Sequence, residues 1–128
     1  MRKAGILLPI ASLPSKFGIG DFGPTSYEFV DYVKECGFKI WQILPLNPLG
    51  YGNSPYQPYS SKAMDELYVS LEMLKEEGLI KKIKTKNPRA NKVDYEAVRA
   101  FKLPYLKEAF ANFVKNDAYA EFVKQEWV

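Results

Sequence analysis

Apolar positions follow two different periods along this chain, and turn formers separate them. Seven of the eight glycines and seven of the nine prolines lie at or before Pro58. Within that first regime Gly5-Ile6-Leu7-Leu8 is a short continuous apolar run, the pattern of a parallel strand covered on both faces, and Pro9 stops it. A glycine-rich stretch leads to Gly23-Pro24, where proline suits a first helical position. Tyr27, Val30, Val33 and Cys36 then recur at helical spacing until Gly37, which predicts an amphipathic helix with a glycine C-cap. Phe38 to Leu44 reads as the next strand. The three elements form a β-α-β unit with parallel strands and a right-handed crossover.

After Pro45 a long stretch rich in proline and glycine runs to Tyr59, a loop at the C-terminal end of the second strand. In parallel α/β folds that edge collects ligand-binding residues. Leu67-Tyr68-Val69 suggests a further short strand, and Ser70 and Gly78 bracket a short helix. From Asp94 onward the period is helical. Asp94 caps a segment carrying Val98 and Phe101, Pro104 interrupts it, and Leu106, Ala109, Phe110 and Phe113 continue the stripe. Asp117 caps a last helix with Tyr119, Phe122 and Val123, and the chain stops at Trp127-Val128. The organisation expected is α/β, with residues 1–60 as the β-α-β unit and its loop, and residues 61–128 as a strand, a basic loop and helices.

The composition narrows the chemistry. With 128 residues the chain is too short for a whole (β/α)8 barrel of about 250. It has no histidine, which removes Ser-His-Asp triads and histidine-containing zinc motifs. Its single cysteine, Cys36, cannot close an intrachain disulfide. Residues 1–80 hold 7 basic and 9 acidic side chains and residues 81–128 hold 11 and 6, so the net +3 is concentrated late. Lys81, Lys82, Lys84, Lys86, Arg89 and Lys92 carry most of it; Asn87 and Pro88 break the run, and it is read as a solvated loop rather than a nucleic-acid surface. Met1-Arg2-Lys3 before Ala4 to Leu13 imitates a secretory signal, but Pro9 interrupts the apolar run and no small-residue cleavage site follows directly. The expectation is a soluble cytoplasmic protein without membrane contact.

Two literal motifs fail on context. Gly18-Ile19-Gly20-Asp21-Phe22-Gly23 fits G-x-G-x-x-G, but nine residues separate it from Leu8, and no acid between Glu35 and Asp65 could hold a ribose. Asp21-Phe22-Gly23 has none of a kinase's surroundings. The loop carries more. Tyr51, Tyr56 and Tyr59 stand beside Asn53, Ser54 and Gln57, which suits a sugar: rings for the apolar C–H face, neutral amides and hydroxyls for the hydroxyl groups. Composition leaves two readings of the tyrosines equally open, a sugar platform or rings that seal the loop over the strands.

At these residues the chain resembles the 4-alpha-glucanotransferases, the amylomaltase or disproportionating-enzyme family. Gly5-x-Leu7-Leu8 with Ser12-Leu13-Pro14, then Gly18 to Gly23, then Trp41-Gln42-x-Leu44-Pro45-Leu46 and Tyr51 to Gln57 occur in the family's order and spacing. Weaker likeness continues through Ser60-Ser61, Val93-Asp94-Tyr95 and Leu106 to Phe110, so it covers nearly the whole chain, as the family's N-terminal part only.

The resemblance implies the opening of a (β/α)8 barrel followed by a helical insertion, in an enzyme that moves α-1,4-glucan segments between maltodextrins by a retaining mechanism. No cofactor and no metal are implied. The partner implied is a maltodextrin or starch-type glucan, and an opened barrel implies self-association. The family's catalytic carboxylates come from later strands, so Asp21, Asp65 and Glu66 are not assigned that role and the chain alone is expected to be inactive. Tyr56 resembles the ring that stacks on the glucose beside the scissile bond, and Ser54 its hydrogen-bonding neighbour. Tyr51 resembles an aromatic at a secondary glucan site, although the position that pairs with it there is Arg99 here. A second departure follows Ser61: Lys62-Ala63-Met64-Asp65-Glu66-Leu67 stands where many members have an aromatic-Ala-Gly-Asn-Pro turn. The alternative from another class is a stand-alone glucan-binding or partner-binding α/β module without chemistry.

Overall fold

The computed structural model describes residues 2–84 and 92–125. Lys86 and Arg89 of the basic stretch, and Trp127-Val128, lie outside the described residues. The chain begins with β1 (Gly5–Leu7), α1 (Pro24–Glu35) and β2 (Ile40–Gln42), and the two strands pair in parallel with Gly5 opposite Ile40 and Leu7 opposite Gln42. Leu8 N–H to Gln42 O and Lys39 N–H to Ala4 O, both 3.0 Å, extend the pairing by one bond at each end. Gly5 is required by this contact, because a Cβ there would lie 2.8 Å from the Cβ of Ile40.

Only one face of the pair is covered. Trp41 packs edge-on against Phe29 of α1 at 4.8 Å and donates from Nε1 to Leu8 O. On the other face Leu7 is 54% and Ile40 47% exposed, so the expected burial of both faces does not occur. Two strands alone have nothing to place there. The same narrowness turns α1: Ser26 and Val33 are buried and Phe29 packs inward, while Tyr27, Val30 and Cys36 of the expected stripe are exposed. A helix resting on two strands seats a single ridge. Its ends are as predicted, with Gly23 before Pro24 at the first turn and Gly37 at φ +82°.

The remaining elements are α2 (Leu71–Glu76), α3 (Tyr95–Asn112) and α4 (Asp117–Val123). Three expectations change here. Glu66–Tyr68 is a 3-10 turn and not a strand, because the Asp65 carboxylate takes the Leu67 N–H that a ladder would need and the residues turn into the core. α3 continues through Pro104 as one helix, with no new helix starting there. Pro104, which has no N–H to donate, and Ala100, whose carbonyl loses that helical partner, both lie on the exposed side. Finally Asn116, not Asp117, caps α4 by accepting the Tyr119 N–H. The Ser70 and Asp94 caps form as predicted.

The fully buried core residues lie outside the strands, with Trp41 of β2 and Phe29 of α1 packed against them. Ile10, Leu13 and Ile19, from the stretch after β1, pack with Leu67, Tyr68 and Val98. A second cluster joins Phe17 to Leu71, Ile80 and Ala109. Gly20 sits where a Cβ would lie 2.0 Å from Ile10 O, so this glycine of the G-x-G-x-x-G string serves close packing of the stretch on itself. Among the described residues no helix is long and apolar enough to cross a membrane.

Candidate functional site

The segment after β2 folds back on itself. Leu49 bridges Pro58 in antiparallel sense, Gly50 N–H donates to Gln57 O, and Tyr59 N–H to Pro48 O, each at 3.2 Å. A Cβ on Gly50 would lie 2.2 Å from Gln57 O, so only glycine allows this approach. The tip turns through Gly52 (φ +76°) and Asn53 (φ +54°), positions glycine and asparagine tolerate. At the base Asp65 N–H donates to Leu46 O at 2.8 Å and Asn47 Nδ2 donates to Ala63 O at 2.8 Å. Residues 46–65 are therefore a loop closed at both its waist and its base.

Tyr56 stands on this loop with 72% of its surface exposed. Its N–H donates to Ser54 Oγ at 3.4 Å, so Ser54, which is half-buried, shapes the turn that presents the ring. Tyr59 is exposed as well. These rings do not seal the strands. Tyr51 begins the turn at the tip, and its side chain lies outside the described part of the structure. A groove of about 690 Å³ runs beside the loop, between residues 9–19 and the start of α3. Pro55 and Leu44 form part of its wall together with Ser12, Ser15, Asp94 and Tyr95, whereas Tyr56 and Ser54 do not line it.

Two cations one turn apart on α3 hold the surroundings. Lys102 Nζ, fully buried, donates to Asp21 Oδ2 (3.0 Å), Leu67 O (2.6 Å) and Val69 O (2.7 Å), which uses its three donors. Asp21 Oδ1 accepts the Gly23 N–H. Burial pushes the Asp21 carboxyl above the ordinary carboxylate value and the Lys102 amine below its own, and each is opposed by the other's charge. Arg99 donates from Nη2 to Asp65 Oδ2 at 2.9 Å and from Nη1 to Glu66 Oε1. Tyr68, in the core beside these groups, is pushed up to about 12, first by burial and then by Tyr95 and Asp65.

Sequence reasoning set Asp21 and Asp65 aside as catalysts without finding these partners. The available signal was Lys102 itself, a lysine four residues after Val98 and seven before Ala109 on the buried stripe of α3. Neither Asp21 nor Asp65 is free to act as nucleophile or acid, since each is buried and committed to a cation. Among the described residues no group of three or more histidine, cysteine or carboxylate side chains is set to hold a metal. What the surface offers is a presented aromatic ring with neutral polar neighbours, suited to binding and not to bond cleavage.

Comparison with known proteins agrees over almost the whole chain. The family described as 4-alpha-glucanotransferase matches residues 8–128. A 4-alpha-glucanotransferase from Aquifex aeolicus is 46% identical over 127 residues, covering 98% of this chain and 26% of that protein. One from Thermus thermophilus is 38% identical, with 98% and 26% covered. The solved structure of amylomaltase from Streptococcus agalactiae in complex with acarbose superposes with a TM-score of 0.82 at 36% identity, over 96% of this chain and 26% of that one. The chain thus spans about a quarter of the length of the relatives it matches.

Proposed function

From the premise that the chain belongs to the 4-alpha-glucanotransferase family, we propose that it is the N-terminal segment of an enzyme that transfers α-1,4-glucan segments between maltodextrins. A retaining transfer needs two carboxyls ~5–5.5 Å apart, one as nucleophile and one as acid and then base. No acid of this chain takes those roles, and the segment's part is to bind and orient the glucan. The Tyr56 ring stacks on the C–H face of a glucose unit, and Ser54 contributes a hydroxyl beside it. Tyr51 serves a second glucan contact on the same loop. In this reading β1, α1 and β2 are the first unit of a (β/α)8 barrel, residues 1–60 carry that unit and its substrate loop, and residues 61–128 form the insertion. The protein works in the cytoplasm, without nucleic acid, membrane or cofactor.

The observation that carries the reading is the 72% exposure of Tyr56 on a loop whose backbone is tied at waist and base. Support for the substrate class comes from the 36%-identical amylomaltase structure in complex with acarbose. Incubating the purified chain with maltotriose should release no glucose and build no longer maltodextrins; turnover at enzyme-like rates would overturn the assignment of catalysis to other polypeptide. The uncovered sheet face, with Leu7 and Ile40 open to water, leads the isolated chain to self-associate. Sedimentation should show species larger than a monomer at micromolar concentration, reduced by Leu7→Lys. Tight stoichiometric maltodextrin binding by compact monomers, lost in Tyr56→Ala, would instead favour a stand-alone binding module.

A further inference from the structure

Arg99 lies 33 and 34 residues from Glu66 and Asp65 in sequence and meets both in space. Arg99 Nη2 donates to Asp65 Oδ2, and Nη1 to Glu66 Oε1. The Asp65 side chain is 1% exposed, its other oxygen accepts the Leu67 N–H, and its own N–H donates to Leu46 O. Asp65 is therefore one of the residues that fix the base of the Tyr56 loop, beside the Asn47–Ala63 bond, and Arg99 is its charged partner on α3. One turn further along α3, Lys102 makes an equivalent tie to Asp21, in the segment that follows β1. A single helical turn thus holds the segments that leave the C-terminal ends of both strands.

We infer that Arg99 is a positioning residue for the Tyr56 loop, a role that rests on the reading of Tyr56 as a glucan contact. The guanidinium suits it because its planar fork bonds two carboxylates on successive residues at once in a fixed geometry. The two arms are unequal. Asp65 is desolvated, so its bond to Arg99 persists in salt, while the exposed Glu66 arm is screened. With its guanidinium committed to these carboxylates, Arg99 acts on the loop and not on a sugar.

Amide hydrogen exchange on the 128-residue chain, with maltoheptaose titrated in parallel, tests this. Arg99→Gln should speed exchange of the Asp65, Gly50 and Tyr59 amides about tenfold and weaken maltoheptaose by a similar factor. The Val33 and Cys36 amides of α1 should not change. Arg99→Lys should restore part of both effects, and Glu66→Gln should leave most of the loop protection in place. Loop exchange indifferent to Arg99→Gln overturns the inference, as does equal acceleration in α1, which would mean general destabilisation. If the loop responds but the wild-type chain has no affinity for maltoheptaose, the reading of Tyr56 fails and the tie loses its purpose. If maltoheptaose binds with an affinity that ignores Arg99→Gln, the positioning role alone is refuted.

Discussion

The β1-α1-β2 unit and the region centred on α3 are held in opposite ways. The strands have a defined register, yet Leu7 and Ile40 are open to water, and α1 seats only Ser26, Phe29 and Val33. The stretch after β1 has almost no regular structure, but its Ile10, Leu13, Phe17 and Ile19 are buried against α2, α3 and the turn at Glu66–Tyr68. Regular hydrogen bonding and burial have been separated. The lesson is that the element defining the fold class is not the element that supplies most of the buried side chains; α2, α3 and the turn at Glu66–Tyr68 seal the segment after β1, while one face of the strand pair stays open.

Removing the buried cation tests the contrast most severely. Lys102→Ala leaves Asp21 desolvated and without its cation, with two carbonyls also orphaned, and should cost about 3–5 kcal/mol, a large part of the stability of a small domain. Urea unfolding followed by circular dichroism measures this. Asp21→Asn combined with Lys102→Met should recover the part of the loss due to the unpaired charge, because burial opposes both charges to begin with, while the Leu67 and Val69 carbonyls stay without a donor. A Lys102→Ala protein with an unchanged midpoint would mean that the pair does not hold the two segments together.

Next comes a matched pair of leucines. Leu71 is fully buried in the second cluster, and Leu71→Ala should cost about 2–5 kcal/mol. Leu7 is half open on the uncovered face, and Leu7→Ala should cost under about 1 kcal/mol in the monomer. Equal losses in thermal or urea unfolding would erase the distinction between the two regions.

Alkaline titration reaches the same core by another route. The Tyr68 phenol is held neutral up to about 12 when folded but ionises near 10 when unfolded. The stability it contributes is present in full below pH 10 and is lost as pH rises towards 12, by about 2 kcal/mol. Tyr95, also raised by burial, adds in the same direction. Tyr68→Phe should flatten much of this slope between pH 9 and 12. A slope unaltered by the substitution would show that the ring is not sealed in the core.

Features set by local chemistry were legible in the sequence. Pro24 and Gly37 mark the ends of α1, Ser70 and Asp94 cap their helices, and the Tyr51 to Tyr59 stretch is an irregular loop that exposes Tyr56. Features that depend on what else is present were not. The stripe Tyr27-Val30-Val33-Cys36 has the right period, but a two-strand sheet cannot cover its width. Leu67-Tyr68-Val69 has strand composition and no strand to join, and Asp65 turns it into the core instead. The ties from Arg99 and Lys102 span more than 30 residues, and a cation on a helix does not announce a partner at that distance. Pro104 was read by propensity alone, which an exposed helix side overrides.

The smallest effect concerns α4, which belongs to neither region. None of its residues is buried, and it is joined through the Asn116 cap and the packing of Phe113 on Tyr119 at 5.7 Å. Lys115 lies over the same ring at 5.6 Å and adds little at an exposed site. Asn116→Ala therefore should cost about 1 kcal/mol of local helix stability, read as faster exchange of the Ala120 amide that donates to Asn116 O. The global unfolding midpoint should stay where it is, because melting α4 exposes no core side chain. Asp117→Ala should do less than Asn116→Ala, since Asp117 only complements the first turn's partial charge. If Asn116→Ala instead lowered the whole transition, α4 would have to be counted with α3, and the division into a sealed half and an open half would give way to three coupled parts.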